Sequence, residues 1–415
     1  MIVGARREPP YAALILAIGF PLLFAAGIAL RLWLWPTAGV AADLDRLARW
    51  VHDIVTSGLP RAYDGDLSQP PVIAATWALL GALEPAFRTA ADATDPAIRA
   101  LLKVPASIAD IGIAAAALWW FRDRPGAALV AVAVALLWPA GWYLSSWWGD
   151  IDALWILPAV IALLAARAGR PVLVAAFLAL AVAAGQQAMV LVVPFLAWSL
   201  GAKGIRRTAR AIVVGGVVMV VAWVPCIAAG GPAAYLRNVA AADAALGGTL
   251  SAGAWNPWWV VGRLGAGGDT VTAATAVLGP LSFADVGSAM AALLVLAVFV
   301  AVLRNATGER LALGAAAVLL VAFTCRTTMP VHDGLAAAAF LLFAVAGRGT
   351  LLTALAFGVA LTVNLVVVAP PAGIVPPDVP AIGVAGAAVM SAVTLAAVVL
   401  LARRGEQRHD KVWLG

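Results

Sequence analysis

Residues 11–35 read YAALILAIGFPLLFAAGIALRLWLW. A helix needs about 20 apolar residues to cross a hydrocarbon core of roughly 30 Å, and the run from Tyr11 to Trp35 supplies them. It follows Arg6 and Arg7, is longer than the apolar core of a signal peptide, and offers no convincing cleavage site before Leu32, so it is expected to be a retained span. Similar runs recur to the end of the chain. The 415 residues are 64% hydrophobic and only 12% charged, with a mean hydropathy of +0.98, whereas a soluble domain is about a quarter charged. Backbone that faces lipid must satisfy its own hydrogen bonds, so the runs are read as helices. Alternating strand patterns are absent, which leaves little room for an outer-membrane barrel. The expected fold class is all-α: one polytopic transmembrane helical bundle over 1–415.

Length predicts about twelve spans, at 11–34, 99–121, 127–143, 150–166, 171–185, 187–202, 209–229, 287–303, 311–326, 333–347, 350–368 and 382–402. The short pair around Gly185, Gln186 and Gln187 is required by charge. Arg170 before it and Lys203, Arg206, Arg207 and Arg210 after it belong on one side, which takes two crossings. With the N-terminus inside, Arg122, Arg124, Arg167, Arg304, Arg310, Arg348, Arg403 and Arg404 fall on that same cytoplasmic side. The opposite side receives 35–98, the Trp-rich turn 142–152, the loop 230–286, the turn 327–332 and the Pro-rich loop 369–381. Cytoplasmic connections are only a few residues long, so chemistry is expected on the outer face. The net charge of +6 implies no nucleic-acid partner. Cys226 and Cys325 lie far apart without clustered histidines, and read as buried small hydrophobes.

Within 35–98, Leu44, Leu47, Val51, Ile54 and Val55 recur at helical spacing and predict an amphipathic helix lying at the interface. Asp43 and Asp45 stand at its start, where carboxylates commonly cap. Trp50, Gly58-Leu59-Pro60, Tyr63 and Leu67-Ser68-Gln69-Pro70-Pro71-Val72 follow. Further on come Lys103 to Asp110, then Trp138-Pro139 with Trp147-Trp148-Gly149-Asp150-Ile151-Asp152, then Met329-Pro330-Val331-His332-Asp333-Gly334.

This order of motifs resembles the GT-C glycosyltransferases, most closely the dolichyl-phosphate-glucose glucosyltransferases and related mannosyltransferases, over roughly residues 11–350. In that family an acidic pair opens a juxtamembrane helix, a Trp follows the first acid by seven residues, and a Pro-Pro element opens a second such helix. The chain departs from the pattern at Ser68-Gln69, where eukaryotic members carry an acid, and at His332-Asp333-Gly334, which replaces a His-Glu-Arg/Lys element.

The resemblance implies transfer of a hexose, mannose or glucose, from a polyprenyl-phosphate sugar to a lipid-linked or cell-envelope glycan acceptor on the outer face. Partners are then the polyprenyl-phosphate donor, a glycan or glycolipid acceptor and membrane lipids. Such a reaction needs a base for the acceptor hydroxyl and cations for the departing phosphate. By position Asp43 matches the catalytic base, and Asp45 is placed to orient the acceptor or support a metal. Gln69, Asp150, Asp152, Arg326, His332 and Asp333 are the candidate substrate-binding residues. Arg326 suits a phosphate geometrically, and equally reads as an interfacial Arg snorkelling from a span end. The Asp-x-Asp spacing suits a divalent cation such as Mg or Mn, but two carboxylates make a sparse site, so no metal is assigned.

Asp110 lies inside a span, where an ionisable residue usually faces the bundle interior, and Lys103, seven positions earlier, is its expected partner. Trp147 and Trp148 read as interfacial anchors. Trp255-Asn256-Pro257-Trp258-Trp259 in the 230–286 loop reads as either a sugar platform or an interfacial grip. A secondary transporter or a lipid or glycolipid flippase is the competing class, but no internal repeat is evident and the acids gather at one face. An outward-facing acyltransferase finds no His-Asp pair besides His332-Asp333. Ala- and Arg-rich usage without a retrieval signal points to a bacterial plasma membrane.

Overall fold

A computed structural model describes residues 10–403 apart from 247, 266–270 and 376–379; Arg6, Arg7 and Arg404 lie outside the described residues. Among those described, nearly all secondary structure is helical. The exception is one small antiparallel hairpin, Ala276–Leu278 with Leu281–Ser282. Many helices begin on a proline, including Pro71–Leu83, Pro96–Trp120, Pro125–Leu137, Pro171–Ala184 and Pro257–Leu264. Proline fits a first helical position because its missing N–H would be unpaired there anyway.

Eight helical segments among the described residues are long and apolar enough to cross a membrane. They are Leu16–Leu34, Pro96–Trp120, Pro125–Trp148, Ile205–Ile227, Phe283–Arg304, Gly308–Cys325, Arg348–Val368 and Pro380–Ala402. The remaining four expected spans form shorter helices: Ala153–Arg167, Pro171–Ala184, Val192–Lys203 and Gly334–Ala344. The 15 residues of Ala153–Arg167 rise about 22 Å at 1.5 Å per residue. That helix is mostly buried and packs against Pro171–Ala184 and Pro96–Trp120. The Ile205–Ile227 helix instead exposes Ile212, Val217, Val220, Val221 and Val224, an outward apolar face.

The expected Lys103–Asp110 pair does not form. Asp110 pairs with the buried guanidinium of Arg31 at 3.1 Å, while the Lys103 ammonium donates to the Thr37 carbonyl at 2.9 Å and to its hydroxyl at 3.2 Å. Seven residues of helix separate the two by about 10 Å along the axis, so each reaches sideways to the end or body of the first helix. Ser145 also donates to Asp110, and Ser145, Ser146, Ser107 and Trp35 form a connected hydrogen-bonded chain. The network fixes a π-helical turn, Tyr143–Trp148, which carries the long helix from Pro125 up to the site.

At the far end of the bundle lie several basic turn residues. Arg167 donates to the Trp120 carbonyl and meets Asp123 at 3.5 Å, and Arg310 donates to the carbonyls of Leu401 and Arg403.

Candidate functional site

The helix Ala41–Ser57 buries Leu44, Leu47, Ala48, Trp50, Val51 and Ile54. Its N-terminus is wedged onto the end of the π-turn. Val40 N–H donates to the Trp148 carbonyl at 3.2 Å. A Cβ on Gly149 would sit 2.3 Å from Leu44, and one on Gly39 would sit 2.3 Å from the Trp147 carbonyl. Both glycines also have positive φ, 94° and 55°, so side chains are excluded by space and by backbone conformation. Val40 is the N-cap and contributes no side-chain bond. Asp43 therefore does not cap: its Oδ2 accepts from Trp148 Nε1 at 2.7 Å and its Oδ1 from Arg46 at 2.7 Å.

Asp43 opens onto a cleft of about 70 Å³ that also holds Arg46, Trp50, Gln69, Asp150, Asp152, Gln187 and His332. Five of the eight expected site residues, Asp43, Gln69, Asp150, Asp152 and His332, thus meet in one place. Trp50 shares the face of Asp43 because seven residues complete nearly two turns. Its indole donates to Asp66 at 2.7 Å. Gln69 is presented by a loop held at several points: Tyr63 donates to the Gln69 carbonyl at 3.0 Å, and Asn238 Nδ2 donates to the carbonyls of Tyr63, Gly65 and Leu67.

Asp45 is not part of this cleft. Its carboxylate accepts from the Ala93 N–H at 2.9 Å, tying the helix to the loop before Pro96. Arg326 and Asp333 line a larger neighbouring cavity of about 430 Å³, with Trp155, Gln186, Met189, Leu319 and Phe323 among its walls. Arg326 thus lines the larger cavity and His332 the smaller cleft, with Gln187 common to both.

Two of the three indoles of the Trp-rich cluster in the 230–286 loop serve packing. Trp255 and Trp258 are buried, Trp258 Nε1 donates to the Cys325 carbonyl at 2.7 Å, and Asn256 both caps its own helix and donates to the Phe323 carbonyl at 3.2 Å. This clamps the chain just before Arg326. Thr328, at φ 56°, donates its N–H to the Leu250 carbonyl, which pins the following turn.

Carboxylates dominate the electrostatics. Burial, reinforced by Asp152, pushes Asp150 up to about 7. Burial also raises Asp152, and it lifts Asp333 to about 6. Burial alone would discharge His332, but Asp150, Asp333, Asp152 and Asp43 outweigh it and hold the imidazole up to about 9. His332 Nδ1 lies 4.0 Å from Asp150 Oδ2, with the Trp148 ring edge-on to it. Asp152 Oδ2, Asp333 Oδ1 and Gln187 Oε1 are buried without hydrogen-bond partners.

Arg46 and Gln187 carry no motif. The three-residue step from Asp43 is the one sequence signal for Arg46, and Gln187 shows only as part of a turn between apolar runs.

No protein-family model matches the chain, and comparison with curated proteins finds no match.

Proposed function

We propose that the protein is a GT-C-type hexosyltransferase that moves mannose or glucose from a polyprenyl-phosphate sugar to a lipid-linked or cell-envelope glycan. The supporting observation is the convergence of Asp43, Gln69, Asp150, Asp152 and His332 into one cleft beside a larger cavity that bears Arg326. The two compartments suit two substrates. The larger has apolar walls from Met189, Leu319 and Phe323 for a lipid chain, and the guanidinium of Arg326 for its phosphate, with the carboxylates of Asp243 and Asp333 also on its lining. The smaller holds carboxylates for the acceptor hydroxyl.

In this reading Asp43 is the general base. Trp148 and Arg46 hold its carboxylate at the mouth of the cleft, where it takes the acceptor's proton as the hydroxyl oxygen attacks the anomeric carbon. The donor's C–O bond to phosphate breaks, and the phosphate leaves with that electron pair toward Arg326. Gln69 and Gln187 bind sugar hydroxyls. Asp333 orients Arg326 and His332, and Asp45 acts only by fixing the helix that carries Asp43.

The reading includes twelve crossings, the four short helices among them. Strict alternation through all twelve brings 35–98, 149–152, 185–191 and 326–333 to one end, and the two cavities draw on all four segments. That end faces outward and the Arg167 and Arg310 end faces the cytoplasm, in a bacterial plasma membrane.

The test is incubation of purified protein, in bilayers with extracted membrane lipids as acceptor, with radiolabelled polyprenyl-phosphate mannose, polyprenyl-phosphate glucose, or the matching nucleotide sugars. Label should leave one polyprenyl donor and appear in a new lipid-linked product. Turnover of a nucleotide sugar alone, or uptake of label without a new covalent product, would overturn the reading; the second outcome is that of a transporter or flippase.

A further inference from the structure

We propose that Asp150, Asp152 and His332 form a binding site for one divalent transition-metal ion of the Mn²⁺ class. The site stands on its own geometry; only its part in sugar transfer rests on the function proposed above.

One ligand atom from each residue lies within 4.8 Å of the others, and His332 Nδ1 is 4.0 Å from Asp150 Oδ2. Ligands held about 2.1 Å from one ion lie about 3–4 Å apart, so the three atoms need to close by only about 1 Å. Each carboxylate is already oriented through one oxygen. Asp150 Oδ1 accepts from the Asp152 N–H at 2.8 Å, and Asp152 Oδ1 accepts from Trp155 Nε1 at 3.0 Å. That leaves Asp150 Oδ2 toward the imidazole and Asp152 Oδ2 buried with no hydrogen-bond partner among the described residues. Fixing one oxygen of a carboxylate so that the other is free to coordinate is how metal sites are supported from behind. A buried, unpaired carboxylate oxygen is costly in a protein interior, and an ion removes that cost.

Charge points the same way. Asp43 is paired with Arg46, whereas Asp150 and Asp152 both face His332, which Asp333 shares with Arg326, so among the described residues carboxylates outnumber the imidazole. With the cation bound, the imidazole is neutral and ligates through nitrogen, and the ion supplies the missing positive charge. An imidazole with two carboxylates favours Mn²⁺ or Zn²⁺ over Mg²⁺, which prefers oxygen ligands and its own water. Three protein ligands would leave coordination positions for a sugar oxygen in the cleft that Gln69 and Asp43 also line.

The measurement is Mn²⁺ binding to the full chain in detergent, after chelator treatment and without any sugar donor, read from the loss of the free-ion electron paramagnetic resonance signal. One saturable ion per chain is expected, with nitrogen hyperfine coupling from an imidazole on the bound ion. His332→Asn should abolish that coupling. Asp152→Asn and His332→Asn should each weaken binding about tenfold or more, while Asp92→Asn on the exposed surface should not. Size-exclusion profiles identify any variant that fails to fold, and for such a variant the wild-type coupling decides. No saturable binding, bound Mn²⁺ without nitrogen coupling, or displacement by Mg²⁺ at equal concentration would each overturn the site. Because no donor is present, the site can fail while transfer activity stands, and transfer can fail while the site stands.

Discussion

Trp148 Nε1 donates to Asp43 Oδ2 at 2.7 Å across 105 residues of sequence. The bond joins the π-turn at the top of the third long helix to the first turn of the 41–57 helix. It leaves the Asp43 carboxylate held from two sides, by the indole and by Arg46. Asp43→Asn keeps the side-chain shape and loses the basicity, so kcat should fall by about 10² to 10⁴. Trp148→Phe keeps the ring and removes only the N–H, and a lost bond to a charged group corresponds to roughly tenfold or more in kcat. Steady-state transfer rates check both. Near-full activity in a correctly inserted Asp43→Asn would show that another group takes the proton.

Arg326 sits in the larger cavity, away from Asp43. Arg326→Ala should raise the KM for the polyprenyl-phosphate donor by about tenfold, since it removes a charge-assisted contact to phosphate, with little change in acceptor KM. An equal rise for both substrates would place Arg326 in overall architecture instead.

The apolar spacing of Leu44, Leu47, Val51 and Ile54 made the 41–57 helix legible, and the seven-residue step made Asp43 and Trp50 cofacial. The same arithmetic separates Asp43 from Asp45. Two helical residues differ by about 200° in direction, so the Asp-x-Asp pair cannot face one cleft, and Asp45 turns to Ala93. The long helices followed from hydropathy, whereas the four short ones did not announce their length, because a buried helix and a membrane-spanning helix share an apolar composition. The Arg31–Asp110 pair bridges 79 positions between two helices, and no local pattern encodes it. Gln187 was equally silent, since a glutamine in a turn needs no function to explain it.

The carboxylates and imidazole of the site set a pH dependence with a definite sign. His332 is raised from 6.5 to about 9, Asp150 from 3.8 to about 7 and Asp333 from 3.8 to about 6. Each raised value means that the folded chain holds more protons than the unfolded one between the two values, so each contribution to stability is lost as pH rises. For His332 that contribution is complete below 6.5 and is lost as pH passes about 9. Melting temperature of the chelator-treated protein should therefore fall from pH 6.5 to 9, and His332→Asn should flatten that stretch. A wild-type curve no steeper than that of the variant would count against the acidic setting of His332.

Topology is open to direct labelling. Ser57 ends the 41–57 helix on the site's side of the bundle, so a Cys introduced there should react with an impermeant reagent in intact cells. Reaction only after permeabilisation would reverse the orientation and move the site to the cytoplasm.

The Arg31–Asp110 pair separates what holds the bundle together from what holds the site in shape. Both groups are buried, and Arg31 also donates to the Gly27 and Leu136 carbonyls. Asp110→Asn leaves a buried guanidinium without its counter-charge, and breaking such a pair costs about 3–5 kcal/mol. Replacing both partners by apolar residues of similar volume, Arg31→Met with Asp110→Leu, removes the unpaired charge as well and should recover most of that loss. Activity should not follow. Ser145 needs Asp110 as an acceptor to fix the π-turn, and that turn carries Trp148 to Asp43. The double variant is therefore expected to melt near the wild-type temperature while transferring sugar slowly, with kcat lowered and donor KM unchanged. Thermal unfolding and steady-state kinetics on the same preparations decide the matter. Full activity in a stable double variant would mean that the π-turn holds its shape unaided, and the pair would then be a matter of helix packing alone.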